Sequence, residues 1–183
     1  LLSRTDAPTN ACDLRAGSPL TGRGVARAAK GRVAALATRL TPSVRAPSVR
    51  VSYGTEAIPP PDVPTGGGII KFQRLAETLP HHGFRFNVLY LGSSSLAPDW
   101  REAVTRARSR GAIVVVNQNG VAYPAWAGTT TDEINAPLAE LLHQCDYVFF
   151  QSAFCKASAD RFLGPRDARF EILYNAVDTT RFS

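Results

Sequence analysis

From residue 48 onward, apolar residues alternate between two rhythms. Val49–Tyr53 is a short apolar run that predicts a strand, followed by the loop Pro59-Pro60-Pro61. After Gly66-Gly67-Gly68, the residues Phe72, Leu75, Ala76 and Leu79 recur at i, i+3, i+4 and i+7, the spacing of one helix face. Phe86–Leu91 predicts a second strand, ending in Gly92-Ser93-Ser94-Ser95. Asp99–Arg110 predicts a charged helix with Trp100, Ala103, Val104 and Ala107 inward. Ala112–Val116 is a continuous apolar run of the kind buried on both faces of a parallel sheet. Ile134, Leu138, Leu141, Leu142 and Cys145 mark the next helix, introduced by Thr131-Asp132-Glu133 as cap and acidic first turn. Tyr147–Phe150 predicts a strand, Phe154–Leu163 a helix closed by Gly164-Pro165, and Phe170–Tyr174 a last strand. Five strands alternating with four helices predict an α/β fold with a doubly wound, Rossmann-like parallel sheet over residues 48–183.

Residues 1–47 follow neither rhythm. They are rich in Ala, Arg, Ser, Thr and Gly, and Val25–Leu40 can be drawn as a basic amphipathic helix. Three readings stay open: a disordered leader, an organellar transit-like segment, and a helix lying on a membrane surface. The apolar face is mostly alanine and has no aromatic residue, which favours the disordered basic leader.

Charge sharpens this division. The 183 residues carry a net charge of +6. Residues 1–58 hold nine Arg or Lys against Asp6, Asp13 and Glu56, whereas residues 59–183 hold twelve of each sign. The basic excess belongs to the leader, which removes most of the reason to propose nucleic-acid binding by the folded part. A content of 44% hydrophobic and 20% charged residues is that of a soluble globular chain. The longest charge-free window, Gly111–Thr131, contains Asn117, Gln118, Asn119 and Pro124 and predicts no spanning helix. Cys12, Cys145 and Cys155 are odd in number and lack ligand spacing, which points to reduced thiols, no metal site and a cytoplasmic chain. A peripheral contact of the leader with the inner membrane face stays open. No methionine occurs, even at position 1, which reads as a fragment or a trimmed product.

In a doubly wound sheet ligands collect at the carboxyl ends of the strands. After the first strand, Gly66, Gly67 and Gly68 precede a helix, so bare backbone N–H groups and a positive dipole end suit a phosphate; a flexible turn is the plainer alternative. After the third strand come Asn117, Gln118, Asn119 and Gly120, then Tyr123 and Trp126. Amides donate and accept together, as sugar hydroxyls require, and aromatic rings beside them suit a carbohydrate. An Asn-Gly turn beside core aromatics is the alternative. Ser152 after the fourth strand predicts a helix cap, and His81-His82 a loop with no assigned role. GxxxxGK[ST], GxSxG, HExxH and a strand-linked GxGxxG are absent, as is a DxD near a strand end, so these residues imply neither nucleotide hydrolysis nor a metal-clamped diphosphate.

In order, these motifs carry a resemblance. Gly66-Gly67-Gly68 with Lys71 and Leu75, then Asp146–Ser152 with Phe154 and Lys156, then Ile172–Phe182 follow one another along the chain. Val49–Phe182, about three-quarters of the chain, resembles the N-terminal half of GT-B-fold, family-4-type glycosyltransferases. The closing Asn175-Ala176-Val177-Asp178 stands where that family has Asn-Gly-Val-Asp in the linker between its two domains.

The resemblance implies a retaining, metal-independent hexosyltransferase with a nucleotide-sugar co-substrate and no other cofactor. It implies a sugar, lipid or glycan acceptor and no nucleic-acid partner. Gly66, Gly67, Gly68 and Lys71 would approach the donor phosphates, and Asn117, Gln118, Asn119, Tyr123 and Trp126 would face the acceptor. Asn175 and Asp178 would belong to the interdomain linker. Many relatives carry a histidine where this chain has Asn117–Asn119, and an amide is no general base near neutral pH, so no catalytic residue is assigned. Ala176 also replaces a glycine. A donor domain would begin near Ser183, and the 183-residue piece alone is expected to show negligible transfer. Two other readings compete: a Rossmann-like oxidoreductase domain and a non-catalytic sugar- or phosphate-binding module. The glycine spacing and the lack of an acid after the second strand speak against the oxidoreductase.

Overall fold

A computed structural model describes residues 48–176. The leader, with Cys12, and the final residues, with Asp178, lie outside the described residues. Within these bounds the chain is α/β, built on a five-stranded, all-parallel sheet. The elements are β1 (Val51–Ser52), α1 (Gly67–Thr78), β2 (Val88–Gly92), α2 (Trp100–Ser109), β3 (Ile113–Gln118), α3 (Pro124–Ala127), α4 (Thr131–Gln144), β4 (Tyr147–Phe150), α5 (Ala153–Phe162) and β5 (Phe170–Ile172).

The strands neighbour one another in chain order, β1 to β5. A single residue adds the reversal that a doubly wound sheet requires. Val51 pairs with Val88 of β2 and also forms a parallel bridge with His81, whose neighbour His82 donates its N–H to the Val51 carbonyl at 2.8 Å. The chain therefore leaves β1 through α1 to one side of it, then returns to β2 on the other. Right-handed crossovers in opposite directions put their helices on opposite faces of a sheet. The packing agrees. Val88 and Tyr90 face α1, together with Tyr53 and Phe72, whereas Leu89, Leu91, Val114, Val116, Val148 and Phe150 share a core with α2, α4 and α5. His81, which the sequence pattern leaves as plain loop, thus adds a fifth pairing to the four between strands and sets the switch between β1 and β2.

Several boundaries differ from the sequence pattern for local reasons. β1 closes early because Gly54 turns at φ 67°, and a Cβ there would collide with Leu91 Cδ2. β3 runs two residues beyond its apolar run, with Asn117 paired to Gly92 and both Asn117 and Gln118 paired to β4. These amides belong to the strand, not to the loop after it. A one-turn helix, α3, joins the four expected. The four inward residues of α2 are all buried, and Ser152 Oγ caps α5 by accepting the Cys155 N–H at 3.0 Å. Ile134, one of the apolar residues that mark α4 in the sequence, lies on an exposed helix surface. The long proline loop is held by Gln73, a buried residue of α1 whose Nε2 donates to the Pro59 and Pro60 carbonyls at 3.1 and 2.7 Å. Cys145 and Cys155 are free and buried.

Candidate functional site

The carboxyl ends of the strands open into a cleft of about 580 Å³ at the switch between β1 and β2. Gly66, Gly67, Gly68 and Lys71 come from the start of α1, Ser94 and Ser95 from the turn after β2, Asn119 from the end of β3, Gln151 from the end of β4, and Asn175 from beyond β5. Residues over a hundred positions apart meet because a parallel sheet puts every strand's carboxyl end on one edge.

The wall formed by α1 depends on a close approach. A Cβ on Gly68 would lie 2.6 Å from Ser94 Oγ and 2.9 Å from both Cβ and Oγ of Ser95. Gly66 and Gly67 have no heavy atom within 4 Å of that position, so their backbone faces open space. The N–H groups of Gly67 and Gly68 lie in the first helical turn and have no intrahelical acceptor. They stand at the positive end of a twelve-residue helix.

Lys71 is the charged centre. Its Nζ donates to Asn117 Oδ1 at 2.7 Å and to Asn119 Oδ1 at 3.2 Å. An ammonium has three donors, so one remains for a ligand. Among the described residues no carboxylate lies within ion-pair distance of it. Partial burial pulls the Lys71 pKa below its ordinary value, and nearby Cys155 opposes that shift. Burial raises the pKa of the Cys155 thiol, which donates to the Gln118 carbonyl at 3.0 Å. Beneath the cleft, burial and the neighbouring Tyr53 push Tyr90 up to about 12, against a hydrogen bond with Asn117.

Asn119 ties the walls together. Besides accepting from Lys71, its Nδ2 donates to Ser94 Oγ at 2.6 Å and its N–H to Ser93 Oγ at 2.9 Å. Its carbonyl accepts from Gln151 Nε2 at 2.5 Å, and Gln151 Oε1 in turn accepts from Asn175 Nδ2 at 3.1 Å. The loops after β2, β3, β4 and β5 form one hydrogen-bonded rim.

Of the residues singled out in the sequence, Gly66, Gly67, Gly68, Lys71, Asn119 and Asn175 line this cleft, and buried Asn117 supports it from below. Gln118 points to the other face, where its Nε2 donates to the Gly120 carbonyl at 2.5 Å. Tyr123 and Trp126 stand outside the cleft, exposed on α3. Ser93, Ser94 and Gln151 were not singled out; their position at strand ends was the signal that could have found them. No three His, Cys, Asp or Glu side chains come together among the described residues in a way that could hold a metal ion. No described helix is long and apolar enough to cross a membrane.

No protein-family model, curated protein or solved structure matches this chain.

Proposed function

We propose that this chain is the acceptor-side domain of a glycosyltransferase that takes a sugar from a nucleotide-sugar donor, with the switch-point cleft receiving the donor diphosphate. The observation that carries this reading is Lys71. Among the described residues it is a cation without a carboxylate partner, held by amide oxygens beside the amino end of α1. Such an arrangement favours a phosphate over a neutral or cationic group, because helix N–H groups and ammonium all donate. Amides and hydroxyls from four further loops surround it and can accept from, or donate to, the hydroxyls of a sugar. The choice of a nucleotide sugar over another phosphate compound rests on the order of sequence motifs that resembles the family.

In this reading Gly67 and Gly68 N–H groups and Lys71 neutralise charge that builds on the departing diphosphate. Asn117 and Asn119 orient Lys71 and serve as neither acid nor base. Calorimetric titration with UDP, GDP and ADP tests the site. At least one should bind, and Lys71→Ala should weaken it about ten- to hundredfold, the loss of a charge-assisted contact. Equal affinity in that variant would sink the reading. Binding of NADH with no response to any nucleoside diphosphate would favour the oxidoreductase alternative.

A further inference from the structure

Two large aromatic rings stand in solvent beyond the cleft. Tyr123 is 48% exposed and Trp126 is 65% exposed. Their centroids lie 6.3 Å apart with planes inclined at 43°, so the two rings are tilted and not stacked face to face. Exposed rings on a loose segment would mean little. These rings are carried on a backbone fixed on both sides. Just before Tyr123, buried Ala122 donates its N–H to Asn135 Oδ1 and accepts from Asn135 Nδ2, both at 2.9 Å. Asn135 is itself 3% exposed, so a buried amide of α4 commits both its ends to one backbone residue. Pro124 presets the first turn of α3. Behind Trp126, Gly128 turns at φ 56°, and the Thr130 and Thr131 hydroxyls donate to the Ala127 and Gly128 carbonyls at 2.8 and 2.7 Å. The fold holds the seat firmly and leaves its rings unpacked.

The chemistry of the surroundings selects the occupant. Residues 120–131 contain no charged side chain, and the two that follow are Asp132 and Glu133. An anionic membrane surface or a nucleic-acid backbone needs Lys or Arg beside the aromatic anchors, and none stands in this stretch. What remains is two exposed rings, one of them bearing a phenol hydroxyl, in a stretch without charge. A neutral pyranose fits this set: its C–H face stacks on indole, and its hydroxyls meet the polar edge. Tyr123 follows Asn119 by four residues, so its Cα lies within about 14 Å of that cleft residue's Cα.

We propose that Tyr123 and Trp126 form a stacking platform for a neutral sugar ring of the acceptor. This rests on the transferase reading for the word acceptor, and on α3 alone for the platform. The full chain provides its own reporter. Trp100 is 3% exposed and Trp126 is the only other tryptophan, so acrylamide quenching reports on Trp126. The probes are maltotriose, cellotriose and chitotriose. At least one should shield Trp126 from acrylamide, and calorimetry should find its binding weakened about tenfold by Trp126→Ala and also by Tyr123→Ala. Nucleoside diphosphate binding should be the same in both variants. The proposal falls if none of the three shields Trp126, if Trp126→Ala binds as well as the native chain, or if phosphatidylglycerol vesicles shift its emission and saccharides do not. Diphosphate binding at Lys71 without saccharide shielding would overturn the platform alone. Shielding without diphosphate binding would overturn the transferase reading and leave the platform standing.

Discussion

Two adjacent glycines in the first turn of α1 should respond in opposite directions to the same substitution. Gly→Ala within a helix is ordinarily favourable by up to ~1 kcal/mol, because alanine loses less backbone freedom on folding. Gly67→Ala should keep part of that gain, since its new Cβ meets no heavy atom within 4 Å. Gly68→Ala places the same methyl 2.6 Å from Ser94 Oγ and 2.9 Å from the Cβ of Ser95. The serine hydroxyls can rotate aside, but the Ser95 Cβ moves only with its backbone, in a turn whose Ser93 and Ser94 are tied to Asn119. Overpacking of this kind costs about 1–3 kcal/mol, which exceeds the helix gain. The two variants should therefore differ by about 1–3 kcal/mol, with Gly68→Ala the less stable. Urea unfolding followed by circular dichroism measures this, with the slope unchanged between variants so that midpoints compare directly. If Gly68→Ala is as stable as Gly67→Ala, α1 does not approach the serine turn as closely as described, and the cleft wall is wrongly drawn.

Other outcomes follow from single contacts. Asn135→Leu strips a buried N–H and a buried carbonyl of Ala122 of their partners, and should cost about 1–3 kcal/mol for each group left unmade, read by the same unfolding curves. His81 is held below its ordinary pKa by burial and by His82, and its Nδ1 accepts the Tyr53 N–H at 3.4 Å. A group with a depressed histidine pKa binds fewer protons folded than unfolded, so its contribution is fully present above about pH 6.5 and is lost as pH falls below that value. His81→Gln should flatten the fall in stability below about pH 6.5, and an unchanged slope would assign the acid sensitivity elsewhere. Cys145 and Cys155, buried and with raised pKa values, should escape alkylation by iodoacetamide in the native protein and react in urea, as peptide mapping by mass spectrometry will show.

The sequence revealed those elements in which polarity and position agree. Tyr147–Phe150 is uniformly apolar and is the observed β4 to the residue, and the inward face of α2 follows its period without exception. β3 was read too short because Asn117 and Gln118 are polar, whereas its neighbouring strands supply ladder partners that outweigh side-chain polarity. The reversal of strand order was invisible because it rests on one residue, His81, with no strand-like run around it. At the site, alternation of strand and helix was enough to bring Gly68, Lys71 and Asn119 together. It could not tell which side of β3 each amide would face: Asn117 lies beside Lys71, and its neighbour Gln118 turns to the opposite face because side chains alternate along a strand.

That Lys71 is met by amides has a consequence for kinetics. An amide oxygen solvates a cation without cancelling it, so no described side chain compensates the positive charge of Lys71. At physiological ionic strength the field extends about 8 Å, enough to guide a multiply charged anion during its last approach. Asn119→Asp would keep the hydrogen bond and remove the field. Association of any anion with the native cleft should then slow as salt is raised, while in the aspartate variant the rate should be slow from the start and nearly indifferent to salt.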